Sequence, residues 1–211
     1  MAPVGRFLSF EGGEGVGKST QLKALGERLR ALGIDHVVTR EPGGTAGAEA
    51  IRELLVTGAV ERWSVRAELL LMTAARLDHL ERLIEPALAR GAWVLCDRYV
   101  DSTRVYQGLA GGLGLAMVDR LQLDLLALRQ PDLTLLLDLP VETGLQRRAA
   151  AGQAGRFEAK GQSFHESVRR GFLSLAELEP ERIRTVDATG DPTVIAAEIE
   201  AILLERFGLG G

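Results

Sequence analysis

Cysteine and lysine are both scarce in this chain, and it has no long uninterrupted apolar run. A single cysteine, Cys96, excludes an internal disulfide framework. Its place inside the apolar run Trp93–Asp97 reads as a small buried residue rather than a reactive thiol. Only three of the 25 basic residues are lysines, leaving 22 arginines, and they form no tail or stripe. With a net charge of −4 this argues against a nucleic-acid polymer as partner. No apolar stretch reaches ~18 residues without a charge or a break, and the N-terminus lacks a signal pattern. No membrane partner is therefore expected, and a cytoplasmic location is. What remains, 211 residues with both signs of charge spread along them, suits one α/β domain, residues 1–211, with an ample core.

The most informative stretch that is present is Gly12-Gly13-Glu14-Gly15-Val16-Gly17-Lys18-Ser19. It fits G-x-x-x-x-G-K-[ST] and lies between the apolar Phe7-Leu8-Ser9-Phe10 and the helical pattern beginning at Gln21-Leu22. A strand, a glycine loop and a helix N-terminus in that order cradle a polyphosphate. Glycines allow successive N–H groups to turn inward, and the helix start adds free N–H groups and a positive dipole end. Lys18 supplies a point charge for the β and γ phosphates, and the Ser19 hydroxyl is a ligand for Mg²⁺.

Short apolar runs predict strands at Arg6–Phe10, His36–Arg40, Trp93–Asp97, Leu133–Asp138 and Ile183–Asp187. Helical patterns fall at Ser19–Leu32, Ala46–Thr57, Val65–Arg90, Ala116–Leu128, Val141–Ala150, Phe164–Leu178 and Pro192–Phe207. This alternation predicts a mainly parallel sheet with helices on both faces, whose ligands bind beyond the carboxyl ends of the strands. Those ends carry Arg40-Glu41-Pro42-Gly43-Gly44-Thr45, Asp97-Arg98-Tyr99 and Asp138. An acid after a buried strand suits Mg²⁺ or its waters, and an adjacent arginine suits a bidentate phosphate clamp. Asp138 fits either a catalytic role or an N-cap for the helix at Val141–Ala150. Between residues 147 and 163, Arg147, Arg148 and Arg156 stand among glycines and small residues. That composition suits a lid delivering positive charge to a phosphoryl group, or else a solvated helix end.

Taken together, the chain resembles the thymidylate kinases. The matching segments are F-E-G-G-E-G-V-G-K-S-T (Phe10–Thr20), T-R-E-P-G-G-T (Thr39–Thr45), A-A-R (Ala74–Arg76), D-R-Y-V-D-S-T-R-V-Y-Q-G (Asp97–Gly108), L-L-L-D-L-P (Leu135–Pro140) and V-D-A (Val186–Ala188). The resemblance implies a three-layer P-loop kinase fold with a five-stranded parallel sheet and an arginine-bearing lid. It also implies Mg²⁺-ATP as donor, dTMP as acceptor, a role in dTTP synthesis and a homodimer. ATP would be held by Gly12 through Thr20, with Arg147 near adenine and Ala188 alongside. Glu14 would lie near the acceptor sugar and phosphate, Arg40, Glu41, Pro42 and Arg52 along the acceptor site, and Arg98 on the acceptor phosphate. Arg76, Thr103 and Gln107 would address thymine, and Tyr106 would sit against the sugar.

Lys18, Asp97, Arg98, Glu14, Arg148 and Arg156 are the expected catalytic group, with Ser19 and Asp97 at the metal. The phosphate loop has Glu14-Gly15-Val16 where one subtype of the family carries an arginine, so the chain resembles the bacterial subtype whose arginine lies in the lid. One position departs from the family pattern. Met72 stands four residues before Arg76, where a phenylalanine usually stacks on the base.

Overall fold

A computed structural model describes residues 4–126, 129–150, 152, 156–157 and 159–209. Parts of the expected lid, and the last two residues of the helix expected at Ala116–Leu128, lie outside the described residues. The strands β1 (Phe7–Glu11), β2 (His36–Arg40), β3 (Trp93–Asp97), β4 (Leu133–Asp138) and β5 (Ile183–Asp187) form one parallel sheet in the order β2-β3-β1-β4-β5. Phe10 stands beside Asp97 of β3 and Leu135 of β4, so the phosphate loop leaves the middle of the sheet at its carboxyl edge.

The strands alternate their side chains between two buried faces. Leu8, Phe10, Leu95, Leu135 and Leu137 pack against α1 (Lys18–Ala31) and α9 (Pro192–Phe207) through Leu22, Leu25, Ile195 and Ile199. Phe7, Val94 and Cys96 face the other way, toward Ile84 and Tyr99. Leu136 and Ile183 meet Val168, Phe172 and Leu175 of α8 (Gln162–Leu178). Cys96 is fully buried, and burial pushes its thiol well up, as befits a core residue.

The remaining helices are α2 (Ala46–Val56), α3 (Val65–His79), α4 (Glu85–Ala89), α5 (Val100–Thr103), α6 (Leu115–Leu126) and α7 (Val141–Ala150). The single long helix expected over Val65–Arg90 is interrupted. Between α3 and α4 the ladder widens to a π turn at Leu80–Ile84, where the Glu85 N–H donates to the Leu80 carbonyl. Pro86 lies just beyond and has no N–H to continue a regular ladder, which the wider turn accommodates. A second π turn, Arg104–Leu109, follows α5 directly, and the sequence pattern had assigned no helix there. It carries Tyr106 and Gln107 inward, both buried.

Candidate active site

The carboxyl edge of the sheet opens into a cleft of about 970 Å³. At one end lies the phosphate loop. Gly15 has φ +68, and a Cβ there would meet the Gly144 carbonyl oxygen at 2.1 Å. Gly144 in turn leaves no room for a side chain, because its own Cβ would stand 2.2 Å from the Glu14 carbonyl oxygen. Loop and α7 therefore touch backbone to backbone, so a residue outside the motif helps set the loop's shape. Gly144 was not singled out from the sequence, although a lone glycine inside a helical pattern was the available signal.

The Lys18 ammonium donates back to the Gly13 carbonyl at 2.9 Å and the Gly12 carbonyl at 3.4 Å. Burial and the nearby Arg98 guanidinium hold its pKa below the ordinary lysine value. Ser19 Oγ donates to Asp97 Oδ2 at 3.3 Å, uniting the two residues expected at the metal.

Arg98 has φ +67, a left-handed conformation that costs a side-chain-bearing residue about 1–2 kcal/mol. Its guanidinium lies over the loop, donating to the Gly12 carbonyl (2.9 Å), the Gly13 carbonyl (3.4 Å), Ser102 Oγ (3.1 Å) and Glu14 Oε1 (2.8 Å). Tyr106 donates to the same Glu14 oxygen at 3.0 Å. Burial alone would raise the Glu14 carboxyl, but Arg98, Lys18, Arg148 and the Tyr106 hydroxyl outweigh it and hold it at about 2. Glu11, also close to Arg98, behaves in the opposite way. Burial and the neighbouring Asp101 push it up to about 7, against Arg98 and its bonds from Ser102 and the Tyr99 N–H. Glu11 and Ser102 were missed in the sequence, where a glutamate closing an apolar strand gives no sign of burial.

At the other end of the cleft, Arg76 is 2% exposed. Its Nε donates to Glu41 Oε2 at 2.7 Å, and its terminal nitrogens donate to Thr103 Oγ1 (2.9 Å), the Tyr99 carbonyl (3.1 Å) and Gln122 Oε1 (3.3 Å). Glu41 Oε1 also pairs with His79 Nδ1 at 2.9 Å, whose Nε2 meets Thr39 Oγ1 at 2.8 Å. The Glu41-Pro42 peptide is cis. Pro42 and Arg52 are joined through the Pro42 carbonyl, which accepts from Arg52 at 2.7 Å, while Arg40 pairs with Glu49. Met72 is half-buried on the cleft wall beside Arg76.

Most of the expected site residues line this one cleft: Glu14 to Thr20, Arg40, Glu41, Pro42, Arg52, Met72, Arg76, Asp97, Arg98, Thr103, Tyr106, Gln107, Arg147 and Arg148. Gly12 and Gly13 lie just beneath, accepting from Lys18 and Arg98. Two expectations find different surroundings. Ala188 is buried behind the sheet edge, its N–H donating to the Asp138 carbonyl at 2.8 Å. Arg156 is not brought to the phosphate loop. It is buried against the carbonyls of Leu55 (3.2 Å) and Ala59 (2.9 Å) and paired with Glu68, because the end of α2, the turn that follows it and that carboxylate together satisfy its guanidinium. Arg148 does reach the loop, with Nε 3.8 Å from Glu14 Oε2. Asp138 meets an arginine of α8. It forms a two-pronged pair with Arg169 at 2.8 and 2.9 Å, tying β4 to α8.

The thymidylate kinase family profile matches residues 10–199. The chain belongs to the thymidylate kinase family. It is 55% identical to the thymidylate kinase of Caulobacter vibrioides over 205 residues, 97% of this chain and 99% of that one. It is 53% identical to that of Rhizorhabdus wittichii, covering 94% and 97%. The crystal structure of thymidylate kinase from Ehrlichia chaffeensis superimposes with a TM-score of 0.79 at 31% identity, covering 95% of this chain and all of that one. The three-layer P-loop fold is therefore that of the family, and the chain is an ATP-dependent phosphotransferase.

Proposed function

We propose that this enzyme transfers the γ-phosphoryl group of ATP to dTMP, giving ADP and dTDP, and that the two ends of the cleft divide the work. The observation carrying this reading is that Arg98 bonds to the phosphate loop at Gly12 and Glu14 while Arg76, Thr103 and Gln107 line the same cleft. The loop N–H groups, Lys18 and Thr20 hold the donor phosphates, with Arg147 toward the adenine side. Arg98 takes the acceptor phosphate, and Glu14, pinned by Arg98 and Tyr106, orients it. Arg40, Glu41, Pro42 and Arg52 border the acceptor, and Arg76 donates to the base. Arg148, near Glu14 on the cleft wall, supplies charge to the moving phosphoryl group.

The oxygens of Ser19 and Asp97 suit a hard divalent cation such as Mg²⁺, which favours oxygen donors shared with phosphates and water. Among the described residues no group of three or more histidine, cysteine or acidic side chains makes a protein-only cage, in keeping with an ion held partly by nucleotide. Bound there, Mg²⁺ would neutralise phosphate charge during transfer.

We also read the chain as one domain acting as a cytoplasmic homodimer. No described helix is long and apolar enough to cross a membrane. Leu70 of α3 and Leu123 of α6 are 59% and 54% exposed on helices that meet through Thr73, Arg76 and Gln122, a surface suited to a second copy. Light scattering should give twice the chain mass, and a charged residue at Leu70 or Leu123 should halve it. The catalytic reading is tested by coupled ADP release against a panel of nucleoside monophosphates. ADP should appear with dTMP and Mg²⁺ and fall to background without acceptor. Acceptor-independent ADP release would overturn the reading.

A further inference from the structure

Glu68 has no place in the roles above, yet it lies in the first turn of α3 and is 2% exposed. Its carboxylate is shared between two partners. Oε2 accepts from Gln107 Nε2 at 3.1 Å, and Oε1 accepts from the Arg156 guanidinium. Arg156 is itself fixed by the carbonyls of Leu55 and Ala59, and its N–H donates to the Val56 carbonyl at 3.4 Å. A buried guanidinium in this position anchors the Glu68 carboxylate through a charge-assisted hydrogen bond.

The consequence falls on Gln107. An amide side chain ends in a donor and an acceptor, whereas a carboxylate only accepts. Beside the Glu68 carboxylate the Gln107 amide turns its NH₂ toward Oε2, the orientation that gives an acceptor a donor. Its carbonyl oxygen is then left over, and that oxygen is buried without a hydrogen-bond partner on a residue that lines the cleft. Burying an unpaired acceptor is unfavourable, and a ring N–H offered by a ligand relieves it. Arg76, held by Glu41 as Gln107 is held by Glu68, presents donors only. The base end of the cleft thus offers a donor and an acceptor, each locked by its own carboxylate. A ring with a carbonyl beside an N–H complements that pair. A ring with an amine beside a bare nitrogen opposes it.

We propose that Glu68 is a specificity-determining positioning residue: anchored by Arg156, it fixes the Gln107 amide with its carbonyl toward the base, so that the site accepts a thymine-type ring and rejects a cytosine-type ring. Glu68 acts through Gln107 and does not touch the substrate. The inference rests on the dTMP reading of the same cleft.

The test compares kcat/KM for dTMP and dCMP at saturating ATP, with thermal melts to establish that each variant is folded. In Glu68→Gln the amide oxygen stays with Arg156 and the NH₂ faces Gln107, whose carbonyl then turns away from the base. The variant should lower the dTMP-to-dCMP ratio by at least ~10-fold, chiefly through the KM for dTMP, and change the KM for ATP by less than about twofold. Glu68→Gln/Arg156→Met removes both charges together, leaves no buried arginine unpaired and should lose the ratio similarly. Glu68→Gln/Gln107→Glu puts an obligate acceptor back at position 107 and should recover much of it, which a merely structural role for Glu68 would not produce. A ratio unchanged within about twofold in either of the first two variants, whichever folds, overturns the proposal. If the wild-type enzyme itself uses dCMP as readily as dTMP, the acceptor reading fails instead, so the two failures are distinguishable.

Discussion

The phosphate end of the cleft is made largely of main chain, and the base end of side chains. At the first, the Gly12 and Gly13 carbonyls receive Lys18 and Arg98, and the shape depends on glycines that admit no Cβ against α7. At the second, Glu41 and Glu68 hold Arg76, His79, Gln107 and Arg156 through contacts between residues 35 to 88 positions apart, with Arg76 and His79 joined to Glu41 across 35 and 38. A main-chain site survives side-chain loss as a fold and fails as a catalyst. A buried ionic site fails first as a fold.

The largest expected effect tests that contrast at Glu41. Glu41→Gln leaves Arg76 without its buried anion and gives His79 Nδ1 a neutral amide in place of a carboxylate. Breaking such a pair from one side costs about 3–5 kcal/mol, so chemical denaturation should show a loss of that order. A stability within about 1 kcal/mol of wild type would mean that the network is not the framework of this end.

At the phosphate end the complementary variant is Lys18→Ala. It removes one strong electrostatic contact and should cut turnover by at least ~100-fold while leaving the thermal midpoint close to wild type. Near-wild-type ADP production by the folded variant would remove Lys18 from the chemistry.

This contrast also explains what could be read from the sequence. The phosphate loop, the strand ends and Asp97–Arg98 stood out in the sequence because binding phosphate calls for contiguous residue types. The sheet was legible because runs such as Leu133–Asp138 are buried on both faces. The end of β1 was placed one residue short, at Phe10, because Glu11 breaks the apolar run although Tyr99 and Ser102 hold it in the core. The π turn bearing Tyr106 and Gln107 was invisible to a period of 3.6. Arg156 could be read as cationic, but not as the partner of a glutamate 88 residues earlier.

The two glutamates beside Arg98 sharpen the comparison through pH. Glu14 is held at about 2 against an ordinary 4.5, by Arg98, Lys18 and Arg148 in excess of burial. Its contribution to stability is present above about pH 4.5 and is lost as pH falls toward 2. Glu11 is raised from 4.5 to about 7 by burial and Asp101, so stability falls as pH rises across that interval and is level above it. Melts across pH should therefore respond in opposite senses: Glu14→Gln flattens the acid limb and Glu11→Gln flattens the fall from 4.5 to 7, each by about 3 kcal/mol. The same pH slope in both variants would contradict the assigned surroundings.

A smaller effect separates the Arg98 backbone from its side chain. Arg98→Ala and Arg98→Gly both remove the guanidinium and should weaken dTMP binding more than ATP binding by calorimetry. Glycine also relieves the left-handed conformation at φ +67, so Arg98→Gly should be more stable than Arg98→Ala by about 1 kcal/mol. Equal loss of affinity for both nucleotides would undo the acceptor-phosphate assignment.

The smallest effect belongs to Met72, where the base end has a side chain held by no ionic partner. Leu69, Arg76 and His79, on the same helix face, are buried, whereas Met72 is half-buried on the cleft wall, one turn before Arg76. A thioether there is flexible and polarizable, and as a base contact it would cover a flat ring through sulfur contacts without the fixed geometry of an aromatic side chain. Met72→Phe should keep dTMP binding or tighten it by up to about 1 kcal/mol, the scale of an aromatic pair. Met72→Ala should raise the KM for dTMP, leave that for ATP unchanged and move the thermal midpoint little, since the side chain already borders open space. If Met72→Ala instead lowers stability and leaves dTMP untouched, Met72 belongs to the core, and the face of the base is covered by another residue.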